Sequence, residues 1–406
     1  MSDVYINPKD IYALHIDSWT DYWNNKLNLF DNVHGILQDS IWLPNKELLT
    51  TLAATYILIP TKMSFVVPIL FCWGDKGSGK SSLSLFANSI RGFNQLFSPS
   101  DTFASLRNAL DSMRWIDSYS KEMEKEGAIL AWDNINEETL KREPKIYQLL
   151  LYGYNRRTDR VSIANSDGTN KEYNVFCPKI ISSVEPLHLK HEFNELHRRL
   201  LIIPHKPFEK FTRQEALPYQ DLDINTDKLD LDSISWEGIH ENFYKFWNDL
   251  GNCTTYATWR NQLTKKTKKS FKIPKIITSS RWTICIDLLC TGLTLGVWDS
   301  PQHAVNFIAE YWDYMDTKYL HIGSATEGHL KDFIDEEVGL QIKQNKVLED
   351  KNLDPIEVVI QASKLKERLI FLQQTGALEF TPRTKDINNL MWELGWKLTT
   401  KGWTQR

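Results

Sequence analysis

The chain has 406 residues, 42% of them hydrophobic and 25% charged, with a formal net charge of −4. That length accommodates two or three domains of about 150 residues, and the composition is that of an ordinary soluble globular protein. The slight acidity excludes a global polycation, so any nucleic-acid surface has to be a local patch.

Cys72, Cys177, Cys253, Cys285 and Cys290 form no C-x-x-C pair. Their apolar neighbours predict reduced, buried thiols in a cytoplasmic protein. Met1 is followed by no basic segment and apolar core of the signal-peptide kind. The most apolar stretch, 52–73, is broken by Pro60, Thr61-Lys62 and Pro68. It reads as a helix and a buried strand rather than a membrane span, and no membrane partner is expected.

In chain order, residues 1–48 form an N-terminal extension. Trp19, Tyr22, Trp23, Leu27, Leu29 and Phe30 recur at spacings of three and four, which predicts a short amphipathic helix. It either packs on the core or a neighbouring subunit, or is a plain extension. A second helix runs from an Asn45 cap to Tyr56, with Leu48, Leu49, Leu52 and Ala53 as its apolar face. Val66–Trp73 then reads as a buried strand.

Next comes Gly74-Asp75-Lys76-Gly77-Ser78-Gly79-Lys80-Ser81, which fits G-x-x-x-x-G-K-[ST] at every fixed position. Glycines let the backbone turn so that successive N–H groups face one hollow. The helix from Ser82 adds its positive N-terminal end. Lys80 can reach the β- and γ-phosphates of ATP, and the Ser81 hydroxyl can ligate Mg²⁺.

Ser98–Thr102 predicts a turn and Phe103–Glu126 a helix. Gly127–Asn134 reads as a central parallel strand with Asp133 at its carboxyl edge, where open α/β sheets bind ligands. Asp133 is the candidate partner of Ser81 in holding Mg²⁺. Asn134 stands where many ATPases place glutamate. An amide orients water but cannot take its proton. Either Asn134 positions the attacking water, or Glu137 or Glu138 swings in, or hydrolysis is slow.

Lys141–Tyr154 predicts a helix. Val161–Asn165 and Lys171–Phe176 flank an Asp-Gly turn, the signature of a hairpin. Pro178–Val184 is a further buried strand in which Ser182 or Ser183 could sense a γ-phosphate, or simply start a loop. Arg198 and Arg199 precede an edge strand and could reach the site of an adjacent subunit, or form surface salt bridges. His188, His191, His197 and His205 lack metal-ligand spacing and read as polar loop residues.

The order of these parts resembles the AAA+ and superfamily-three-like helicase ATPases. It is similar in particular to the helicase modules that plasmids, phages and other mobile elements carry with their primases. The likeness covers roughly residues 45–205. It implies an α/β P-loop NTPase (AAA+-like) core with a parallel central sheet, placed at 49–206. It implies a homo-oligomer, often a hexameric ring, with ATP at subunit interfaces. The hairpin would face a central channel and touch DNA, with Lys171, Arg156, Arg157 and Arg160 as phosphate contacts. A primase or polymerase would lie in another chain.

Residues 207–235, with three nearby prolines and an acidic stretch, read as a linker. A helical lid is expected at 236–322, with helices at Trp236–Leu250, Ile284–Leu295 and Ala304–Tyr319. Lys265, Lys266, Lys268, Lys269, Lys272 and Lys275 offer either a phosphate-backbone contact or a solvated loop. The resemblance suggests Arg281 as a second sensor of ATP. Residues 323–406 read as a winged-helix-like domain: helix Ile356–Gln374, strand Ala377–Phe380, helix Asp386–Leu394 and a hairpin at 395–403. Its wing would present Lys397, Lys401 and Arg406 to DNA, unless it binds protein.

Together these readings point to an ATP-dependent helicase or translocase acting on single-stranded or forked DNA in replication of a mobile element. The rival is an ATP-controlled oligomeric switch or scaffold that binds a partner protein without unwinding. A small-molecule kinase would not need so large a second half.

Overall fold

A computed structural model describes residues 29–91, 96–112, 129–164, 168–220, 236–265 and 271–320, Leu231 and Ile234, and shorter runs between 334 and 405. The expected helix around Trp19 to Leu27, the end of the Phe103–Glu126 helix and the hairpin tip at 165–167 lie outside the described residues. The chain divides into two compact units, residues 1–313 and 314–406.

The first unit is built on a five-stranded parallel sheet in the order β2-β3-β6-β1-β7. Its strands are β1 (Ile69–Gly74), β2 (Leu96–Phe97), β3 (Leu130–Trp132), β6 (Lys179–Ser183) and β7 (Leu200–His205). Strands covered on both faces read as continuous apolar runs. Accordingly Ile69 to Cys72 and Leu200 to Ile203 are all buried. Each large aliphatic or aromatic side chain so buried contributes about 2 kcal/mol. β1 begins at Ile69 rather than Val66. Val66 forms an isolated antiparallel bridge with Asn155, and the Val67 N–H donates to the Tyr154 carbonyl.

Helix α1 (Leu29–Ser40) packs on α2 (Lys46–Ile57). The Asn45 side chain caps α2 by accepting from the Leu48 N–H. The expected apolar face is an underestimate, because every residue from Leu48 to Ile57 is buried. A helix sunk in a core is apolar on all sides. Helix α3 (Lys80–Arg91) buries Leu83, Phe86, Ala87 and Ile90, the i, i+3, i+4, i+7 stripe of a surface helix. Its last residue, Arg91, is buried and donates to the Ile57 and Ile59 carbonyls and to Thr61 Oγ1. It thereby satisfies carbonyls that the end of α2 leaves over.

Helix α4 (Phe103–Ser112) follows β2. The single helix expected at 141–154 is two: α5 (Glu137–Arg142), capped by Asn136, and α6 (Pro144–Tyr152). Pro144 cannot continue α5 but suits the first position of a helix. The antiparallel hairpin β4 (Arg160–Ala164) and β5 (Asn170–Asn174) forms its own sheet. Its base is tied to α4. Asp111 accepts from the Asn174 N–H at 2.9 Å, and the Arg107 guanidinium lies 3.9 Å from the Tyr173 ring centre.

After β7 the chain makes three short helical turns at 208–219. Tyr219 is buried there, stacked on Trp42 at 4.9 Å and bonded through its hydroxyl to the Leu43 backbone. Helices α7 (Trp236–Asn248), α8 (Leu250–Thr264), α9 (Ser279–Leu295) and α10 (Pro301–Met315) follow. Buried Asp287 on α9 joins this helical layer to the approach to β1. It accepts from Tyr256 Oη and Arg260 Nε, both at 2.8 Å, and from the Phe65 and Val66 N–H groups.

The second unit has a three-stranded antiparallel sheet in the order β8-β10-β9: β8 (Val359–Ile360), β9 (Trp396–Thr399) and β10 (Gly402–Gln405). Helix α11 (Ala362–Gln374) starts six residues later than expected because Val359 and Ile360 pair as a strand with β10. Ile334, Ile360, Leu365, Leu369, Met391, Trp396 and Trp403 form its core. The expected strand at 377–380 and most of the helix at 386–394 lie outside the described residues. Among the described residues no helix is long and apolar enough to cross a membrane.

Candidate functional site

β1 lies between β6 and β7, with β3 beyond β6: the chain leaves the carboxyl end of β1 toward β2 on one side, and leaves that of β6 toward β7 on the other. Such a reversal opens a crevice at the carboxyl edge of a parallel sheet. The loop from Gly74 to Ser81 fills that position, between β1 and α3. Gly77 and Gly79 have φ of 74° and 86°, in the left-handed region that glycine enters without strain. Gly74 answers a different demand: a Cβ there would lie 1.8 Å from the His205 carbonyl oxygen.

Lys80 Nζ donates to the Gly74 carbonyl at 2.9 Å and the Asp75 carbonyl at 2.5 Å. Burial lowers its pKa, and the nearby Asp133 carboxylate offsets only part of this. The adjoining cleft, about 470 Å³, is lined by Lys76 to Ser82 together with Asn134 and Val184.

Asp133 sits one residue past β3, and three of the expected residues converge on it. Ser81 Oγ donates to Oδ2 at 2.7 Å. Ser182 Oγ, from the adjacent β6, donates to Oδ1. The Asn134 amide lies 3.4 Å from Oδ2. Ser81 Oγ and Asp133 Oδ2 are hard oxygen donors at the mouth of the loop, the donor chemistry that Mg²⁺ takes, usually with waters and substrate phosphates completing its shell.

The alternation of a strand separates the two serines. Ser182 faces Asp133, whereas Ser183 Oγ donates to the Ile135 carbonyl at 2.6 Å and accepts from the Glu185 N–H. Asn134 has φ of 55°, the single non-glycine residue with positive φ among the described residues. Asparagine tolerates that conformation better than glutamate, so the backbone here favours the residue present. Its N–H donates to Ser182 Oγ at 3.1 Å.

Glu137 is fixed elsewhere. Lys141 and Lys190 both donate to its carboxylate, with Lys190 at 2.5 Å, and they push its pKa down to about 2. So strong an acid is a poor base at neutral pH. Glu138 is exposed on α5.

Arg198 is exposed and bonded to Glu195 at 3.2 Å. Arg199 is folded in, 4.8 Å from the Tyr154 ring centre and donating to the Glu195 carbonyl. Two expected polar histidines are buried instead. His188 lies edge-on to Phe71 and Trp73, and His205 Nδ1 is 3.1 Å from the Ser78 carbonyl.

Two residues expected to contact DNA or ATP, Arg156 and Arg281, are engaged elsewhere. Arg156 turns inward, donating to the Ser64 and Thr61 carbonyls and stacking on Phe176 at 4.9 Å, which removes it from the exposed basic cluster. Arg281 lies over the Trp312 ring at 4.2 Å and donates to the Ile276 carbonyl. Lys266, Lys268 and Lys269 lie outside the described residues. One neighbour of the loop escaped the sequence reading: Lys210 Nζ is 2.7 Å from Asp75 Oδ2. A lysine in a polar segment 135 residues away carries no local signal of that contact.

No family model and no curated protein matches the chain. A solved structure described as "SCCmec type IV Cch - active helicase" aligns at 13% identity with a TM-score of 0.37, covering 97% of this chain and 68% of that one. The chain is an α/β protein whose glycine loop, Ser81, Asp133 and Ser182 meet at the carboxyl edge of a five-stranded parallel sheet.

Proposed function

We propose that the chain is an AAA+-like P-loop ATPase that couples ATP hydrolysis to opening of, or movement along, DNA in the replication of a mobile element. The observation that carries this reading is the convergence of Lys80, Ser81, Asp133 and Ser182 beside a loop with two left-handed glycines. Loop N–H groups and the start of α3 favour phosphate, and Lys80 exchanges carbonyl partners for phosphate oxygens. Ser81 and Asp133 would hold Mg²⁺, which when bound neutralises charge on the phosphates. Ser182 would sense the γ-phosphate, a role supported by its bonds to Asp133 and to the Asn134 N–H. Asn134 orients the attacking water.

Arg198, exposed two residues before β7, is the better candidate of the two arginines to enter a neighbouring copy's site in a ring-shaped homo-oligomer. There it would stabilise charge on the transferred phosphoryl group. The exposed hairpin β4–β5, with Lys171 and Arg160, is the candidate DNA contact, joined by Arg157 just before it. The second unit, a helix followed by a β-hairpin, supports a winged-helix-like reading with Lys397 exposed on β9.

ATP turnover at low salt, with and without forked DNA, tests this. Stimulation by DNA is expected. Turnover that DNA leaves unchanged at low salt points instead to an ATP-controlled switch.

A further inference from the structure

We infer that Lys210 is a positioning residue for nucleotide: it is the counter-charge that lets the glycine loop carry an acid beside a triphosphate. The inference rests on the nucleotide reading of that loop. Asp75 is the one acid among the eight residues from Gly74 to Ser81. A carboxylate in a loop that takes a polyanion opposes its ligand, because like charges at close range repel. Lys210 Nζ lies 2.7 Å from Asp75 Oδ2. The same residue's backbone carbonyl is taken by Lys80. Asp75 is therefore divided between two lysines, one for its carbonyl and one for its charge.

Lys210 is presented by a built segment. Phe208, in the same turn, packs edge-on against Trp42 at 4.9 Å and tilted against Phe211 at 5.2 Å. Thr212 and Glu215 form a reciprocal cap directly after it, and Lys206 bonds to Glu215 at 2.9 Å. Just before the turn, the His205 carbonyl closes on Gly74 and the His205 ring meets the Ser78 carbonyl. The end of β7 and the turn after it thus hold the loop at its first, second and fifth residues.

Both partners of the ion pair are exposed. The pair itself therefore adds little to stability, and its weight falls on ligand charge. Lys210 acts through Asp75 and not by touching phosphate.

Equilibrium titration with a fluorescent ATP analogue and Mg²⁺ tests this on the full chain, with thermal melts to confirm folding. Lys210→Ala should weaken binding about fivefold to tenfold, and Lys210→Arg should stay within about twofold of the wild type. Asp75→Asn should bind at least as tightly as the wild type. The double variant Asp75→Asn with Lys210→Ala should recover the affinity of Asp75→Asn. Raising salt to about 1 M should close the gap between Lys210→Ala and the wild type. Equal affinity in the wild type and Lys210→Ala overturns the inference. So does a double variant as weak as Lys210→Ala, which would make Lys210 a direct phosphate ligand. A wild type that binds no analogue overturns the nucleotide reading and this inference with it, so the two failures are told apart.

Discussion

Lys80 and Lys179 lie toward opposite ends of one parallel sheet, and their ammonium groups make closely similar bonds. Lys80 follows the carboxyl end of β1 and donates to the Gly74 and Asp75 carbonyls. Lys179 opens β6, opposite the first residue of β1, and donates to the Gly153, Val175 and Cys177 carbonyls at 2.6, 3.0 and 2.9 Å. Burial lowers the pKa of both. The difference lies in what surrounds them. Lys80 borders an open cleft, a carboxylate and two left-handed glycines, whereas Lys179 is sealed, with no exposed surface. A lysine bonded to carbonyls is a binding group only where something else can replace the carbonyls.

The pair can be separated by mutation. Lys80→Ala should abolish ATP turnover while leaving the thermal melt close to the wild type, since water from the open cleft can reach the carbonyls the ammonium leaves. Next in size, Arg198→Ala should cut turnover by about 10³-fold with ATP affinity unchanged. Arg199→Ala should lower stability instead, because its guanidinium packs on Tyr154. Unchanged turnover in both variants removes the interface arginine.

Lys179→Met should cost about 3 kcal/mol in a denaturant titration, because three buried carbonyls lose their donor. Turnover per folded molecule should be unaffected. A Lys179→Met protein as stable as the wild type breaks the comparison from the structural side. Smaller still, Asn134→Ala should cost about 1 kcal/mol through its left-handed backbone, and Asn134→Gly should restore stability. If Asn134→Gly also keeps full turnover, the amide has no part in orienting water.

The last effect is on the acid limb. Glu137 ionises at about 2 in the fold against an ordinary 4.5. Its stabilisation is therefore complete above about pH 4.5 and lost as pH falls toward 2. The melting difference between the wild type and Glu137→Gln should close across that window. A gap that stays constant there contradicts the Lys141–Glu137–Lys190 pairing.

Much of the site was legible because its chemistry fixes residue types at short spacing, as in Gly74 to Ser81, or because a parallel strand ends in an acid, as at Asp133. The rest depended on direction and distance. Ser182 and Ser183 are equivalent in sequence, and only the pleat decides which faces Asp133. Arg156 looked like its exposed neighbours, yet its guanidinium satisfies carbonyls of the turn before β1. Helix α8 was missed because its fully buried side chains, Tyr256 and Leu263, are two turns apart in an otherwise polar run. Tyr219 and Lys210 were hidden in a segment whose prolines and acids read as a linker. Their contacts with Leu43 and Asp75 span 176 and 135 residues. Lys179 gave no sign that a strand's first residue would bury its ammonium.

Equilibrium binding of ATP with Mg²⁺ to the wild type and to Lys80→Ala bears most directly on the loop. Saturable binding below millimolar ATP is expected in the wild type, lost in Lys80→Ala with the fold intact. A wild-type protein that binds no nucleotide at millimolar ATP, or a Lys80→Ala protein that binds it equally well, would contradict the assignment.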